Sequence, residues 1–110
     1  MSFRVSLSQR AKRDIREIAT WIKRRSSKGA LSWLAALEKA LGQLKKTAAS
    51  SGPAPEADDF ELDLRQCLFK TRRGNTYRLV FILRDNLVHI LAVRGTGQDL
   101  LQRDDIEFGG

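Results

Sequence analysis

The chain is short of most residues that build chemistry: one cysteine, one histidine, one tyrosine, one methionine and two prolines in 110 residues. A single thiol, Cys67, can close no internal disulfide and cannot found a Cys-rich zinc site, and one histidine beside it leaves no basis for expecting a structural metal. No cofactor is expected. Long apolar runs are also missing: nothing approaches the roughly 20 residues that span a bilayer, and the start lacks the apolar core of a secretory signal. These absences point to a cytoplasmic protein with no membrane partner.

What is present is positive charge, unevenly spread. The formal net charge is +7, with a sequence pI near 10.2. Residues 1–50 carry twelve Lys or Arg against three acids, and residues 72–94 five against one; residues 51–71 and 95–110 are net acidic. Such a field attracts phosphate backbones or acidic proteins. With 42% hydrophobic residues, the chain can fill one modest core, so residues 1–110 read as a single domain with room for a flexible acidic tail at 97–110.

Phe3-Arg4-Val5-Ser6-Leu7 alternates apolar and polar and predicts a half-buried strand. Ser8 then suits the N-cap of a helix whose apolar stripe is Ala11, Ile15, Ile18 and Ile22, with Trp21 beside it. After an interruption at Ser26-Ser27-Lys28-Gly29, a second stripe runs through Ala30, Trp33, Leu34, Leu37, Leu41 and Leu44 and ends at Lys45-Lys46. So short a link predicts an antiparallel helical hairpin. Both prolines fall in residues 48–55, which cannot continue the helix and read as a loop. Phe60, Leu62 and Leu64 then alternate with polar residues and predict an extended segment.

The organising stretch is 68–94. Two runs rich in branched and aromatic residues, with turns at Gly74-Asn75 and Asp85-Asn86, predict an antiparallel meander. Alternation places Tyr77, Leu79, Phe81 and Leu83 on the core face. On the last run it sets Leu87, His89, Leu91 and Val93 against Val88, Ile90, Ala92 and Arg94. The fold class is α+β: an N-terminal strand and a two-helix hairpin packed on one face of a three- to four-stranded, mainly antiparallel sheet. The expectation is that Lys70, Arg78 and Arg94 gather on the face the helices leave bare, as a landing place for a negative partner or as ordinary solvated surface.

In the order of its elements the chain resembles the RelE/ParE superfamily, the small toxins of bacterial type II toxin-antitoxin modules. The resemblance covers roughly residues 3–96 and is carried by Ala11-Lys12-Arg13-Asp14-Ile15-Arg16-Glu17-Ile18, the proline-containing loop, the Leu64-Arg65 pair, Arg73-Gly74-Asn75-Thr76-Tyr77-Arg78-Leu79-Val80-Phe81, and Val88-His89-Ile90-Leu91-Ala92-Val93-Arg94. It implies a growth-inhibiting toxin of a plasmid-stabilisation module, held inactive by a cognate antitoxin that wraps it with an otherwise disordered segment. The ParE branch poisons DNA gyrase; the RelE branch is an mRNA interferase, cutting messenger RNA on the ribosome.

Ribosome-dependent cleavage needs a deprotonated 2′-hydroxyl, a stabilised phosphate and a protonated leaving oxygen. By resemblance, Lys70 and Arg78 match basic positions of the RelE sheet and, with Arg94, are the catalytic candidates if the chain is RelE-like. That branch also carries a tyrosine or histidine in its tail, and residues 95–102 here have neither. Arg94 looks like the arginine that ParE-type sequences place at the end of the last strand. The ParE-like reading is favoured, with a non-toxic binding module as a further alternative. Candidate contacts to a target or nucleic acid are Arg65, Lys70, Arg72, Arg73, Arg78 and Arg94. Arg65 has the alternative of a structural pair with Asp63 or Glu61, and Trp21, Trp33 and His89 read as packing residues.

Overall fold

The computed structural model describes residues 3–60, 62–72, 74–95 and Leu101. Its elements run β1 (Arg4–Leu7), α1 (Gln9–Lys23), α2 (Ser27–Thr47), a 3-10 turn (Ala48–Ser50), the short α3 (Ala57–Phe60), β2 (Arg65–Lys70), β3 (Thr76–Arg84) and β4 (Leu87–Gly95). Serine hydroxyls set both long helices. The Ser8 Oγ accepts from the Ala11 N–H and the Ser26 Oγ from the Gly29 N–H, each satisfying a donor that the first helical turn leaves orphaned. The Ser26 cap draws Ser27, Lys28 and Gly29 into α2, so the link between the helices is shorter than the sequence pattern predicts.

The four strands order as β1-β4-β3-β2, with β1 parallel to β4 and the other pairs antiparallel. The β3–β4 hairpin turns on Asp85-Asn86. Asp85 has φ 53°, a left-handed conformation that an aspartate tolerates better than most residues. Regular alternation does not survive along β4. Val80 lies opposite Ala92 and Phe81 opposite Ile90, so Leu91 is an extra residue, a β-bulge.

The bulge changes which side chains share a face. Val88, Ile90 and Val93 join Tyr77, Leu79 and Phe81 beneath the hairpin, in a core with Ala11, Trp33, Leu37 and Leu44. The sequence expectation had put Val93 in phase with His89; the extra residue separates them. His89 pairs instead with β1, its Nδ1 2.7 Å from the Ser6 Oγ. The same slip sets Arg94 directly opposite Arg78.

The face away from the helices is not bare. Val80, Ile82, Leu91 and Ala92 are covered there by Ala54, Phe60, Leu64 and Leu101, a second, smaller core supplied by the proline-containing segment and one residue of the tail. Phe60, Leu62 and Leu64 do not form the predicted extended run. Phe60 ends α3, and the Leu64 N–H turns back to the Leu62 carbonyl at 2.8 Å. This fold lets Phe60 and Leu64 bury together, which a strand with the same alternation would do only by joining the sheet. Of the tail at 97–110, all but Leu101 lies outside the described residues.

Candidate functional site

The expected cationic triad shares one face, but that face is not bare. Leu68 pairs with Arg78, and Arg78 with Arg94, so these residues and Lys70 share one face by register and alternation. Their environments nevertheless differ. Lys70 is exposed, Arg94 half-buried, and Arg78 only 4% exposed. Arg78 meets the carboxylate of Glu56, itself 1% exposed, through two hydrogen bonds: Nη1 donates to Oε1 at 2.7 Å, and Nη2 donates to Oε2. Gln66 Oε1 lies 3.5 Å from Nη1. The bare-face expectation is therefore corrected for Arg78, which is spent inside the protein.

Glu56 also accepts from the Leu101 N–H at 3.0 Å, so one carboxylate ties the proline segment, β3 and the tail together. Burial alone pushes this carboxyl up, but hydrogen bonds from Arg78 and the Leu101 amide outweigh it and hold the group below its ordinary value. It stays ionised, as a buried guanidinium requires.

Arg65 is likewise a structural residue. Its Nη1 donates to the Ala48 and Ala49 carbonyls at 3.2 and 2.8 Å, and its Nε and Nη2 both reach Asp63 Oδ2. The charge thus sits at the carbonyl end of α2, where the helix dipole favours a cation. Of the alternatives the sequence left open, the pair with Asp63 forms; Glu61 lies outside the described residues, as does Arg73. Arg72 is exposed in the β2–β3 turn.

Arg72 opens onto a feature that the sequence reading missed, a cleft of about 660 Å³ between the tip of the helical hairpin and the β2–β3 turn. Trp21, Lys28, Ser32 and Trp33 line it from the helices, and Arg72 and Tyr77 from the sheet side. Trp33, Phe69 and Tyr77 pack ring against ring with centroids 5.4–5.9 Å apart. Trp33 is buried, as its place on the α2 stripe predicts, whereas Trp21 is 47% exposed, with the Arg25 guanidinium 4.3 Å above its ring.

The described proton-transfer candidates are poorly placed for acid-base work. Burial pushes the Tyr77 phenol up, and burial together with the Arg84 charge pushes the His89 imidazole down. Burial also raises the Cys67 thiol, which keeps it a neutral packing group. Among the described residues, no group of His, Cys, Asp or Glu is placed to hold a metal ion, and no helix is long and apolar enough to cross a membrane.

No curated protein matches the chain. Residues 5–100 match the family of the ParE toxin of the type II toxin-antitoxin system, parDE. That span runs from β1 through β4 and takes in both long helices, the Glu56–Arg78 pair and the cleft. The chain therefore belongs to the ParE toxin family of type II toxin-antitoxin systems.

Proposed function

We propose that this toxin is neutralised by a cognate antitoxin encoded beside it and that, when released, it acts in the cytoplasm on DNA gyrase as part of a plasmid-stabilising module. The observation that carries the choice of target is the burial of Arg78 against Glu56. A ribonuclease of the RelE kind would need that guanidinium on a scissile phosphate, and its ion pair with a fully buried carboxylate keeps it from one. The tyrosine and histidine available for proton transfer are held in the sheet by packing and by Ser6. Of the candidate contact residues, Lys70 and Arg72 are exposed and can meet a target.

Induction in a bacterium lacking the antitoxin, with a DNA-damage reporter and primer extension on messenger RNA read in parallel, tests this. Growth arrest with DNA breaks and intact transcripts is the expected result. Codon-positioned cuts that vanish with Lys70→Ala would assign the chain to ribosome-dependent mRNA cleavage instead. Unimpaired growth would leave it a non-toxic binding module.

A further inference from the structure

We infer that the cleft between the hairpin tip and the β2–β3 turn is a docking site for an extended acidic peptide that inserts an apolar side chain. The cleft's floor is aromatic and its edge cationic. Trp33 and Tyr77 lie at its base, while Lys28 and Arg72 contribute to its lining, and none of the described lining residues is acidic. Lys23, Arg24 and Arg25, all exposed, extend the positive edge along the hairpin tip. The floor also holds an unmet donor: the Trp33 indole N–H is buried and has no acceptor among the described residues. A buried N–H without an acceptor has lost its water partner and gained none, so a peptide carbonyl or carboxylate brought to it has something to gain.

Single-stranded nucleic acid is the competing occupant, and the ring geometry disfavours it. Base binding needs free aromatic faces for stacking. Here the Trp33, Phe69 and Tyr77 rings are committed to one another, Trp33 and Tyr77 are 2% and 9% exposed, and the one substantially exposed ring among the described residues, Trp21, is covered by Arg25. An aliphatic or phenyl side chain needs only a concave apolar floor, and flanking carboxylates need only the cations at the edge.

The inference does not depend on gyrase being the target, and its test is separate. The probe is a labelled peptide, Glu-Asp-Leu-Glu-Phe-Asp-Glu, added to the full chain and followed by fluorescence anisotropy. Lys28→Glu with Arg72→Glu should weaken binding by about tenfold or more, and Ser32→Trp, at an exposed lining position, should do the same by filling the cleft. Lys12→Glu with Lys39→Glu, an equal change of charge outside the cleft, should change affinity by less than about threefold. A peptide with Leu and Phe replaced by Ser should bind about tenfold more weakly. As a readout independent of any lining variant, the Trp33 indole N–H resonance, told apart from that of Trp21 by Trp21→Phe, should move on saturation. Absence of binding, equal weakening by the remote charge pair, an unmoved Trp33 resonance, or displacement of the peptide by a heptathymidylate of higher affinity would each overturn the inference.

Discussion

A guanidinium at 4% exposure is stable only where its charge is met, and for Arg78 the partner comes from a segment with no regular structure beyond a single helical turn. Removing one side of a buried pair leaves the other charged and dry, whereas replacing both relieves the desolvation of each. Glu56→Ala or Arg78→Ala should therefore cost about 3–5 kcal/mol in urea unfolding. The double change Glu56→Gln with Arg78→Met keeps an acceptor for the Leu101 N–H and should recover most of that loss. The pH dependence follows from the same contact. Glu56 titrates below its ordinary value of 4.5 when folded, so its contribution is fully present above that value and is lost as pH falls through the folded one. Unfolding midpoints measured on acidification should accordingly drop more steeply for the wild type than for the double variant. A similar accounting applies to Arg65. Its loss to Ala strips two carbonyls at the end of α2 of a charged donor and should cost about 1–2 kcal/mol, with little of that owed to Asp63, which is 71% exposed.

At the scale of elements, the short β1 leaves the far half of β4 without a strand beside it, and side chains complete the edge. The Ser8 Oγ donates to the Leu91 carbonyl while capping α1, and Asp14, on the first turns of that helix, accepts the Val93 N–H at 3.0 Å and the Arg10 Nε at 2.9 Å. These bonds bracket the bulge. Asp14→Ala orphans the Val93 amide and should destabilise the protein by about 1–3 kcal/mol, with amide exchange rising first along β4 beyond Ile90. The helices, the meander and its Asp85-Asn86 turn were legible in the sequence because each follows from local periodicity or turn chemistry. Asp14 falls off the apolar stripe of α1, and nothing local in the sequence shows that a strand amide waits for it. The bulge was equally hidden: Leu91 and Ala92 are both apolar, and either phase satisfies an apolar pattern. That single residue is why Arg94 faces Arg78 and Val93 faces the helices.

For the molecule as a whole, charge was read correctly as a quantity and incorrectly as a place. The +7 is real, but its most promising arginine is neutralised internally, while exposed cations lie elsewhere, among them Lys23, Arg24, Arg25 and Lys28 at the hairpin tip, Lys70 and Arg72. Helix packing covers one sheet face as expected; the other is closed by the proline segment, whose apolar residues are too few and too irregular to announce a second core. The surface field should still speed the encounter with an acidic antitoxin, so the association rate should fall steeply between low and high salt, and a rate insensitive to salt would remove the electrostatic contribution. The cleft went unseen because its walls are about 40 residues apart in sequence and carry no shared motif. The most direct test of the account is gyrase supercoiling assayed with the purified toxin and with its Glu56→Gln, Arg78→Met double variant. Both folded proteins should block supercoiling and accumulate cleaved DNA to a similar extent, because Arg78 serves the fold. Supercoiling untouched by the wild type, or inhibition lost in a double variant that remains folded, would contradict it.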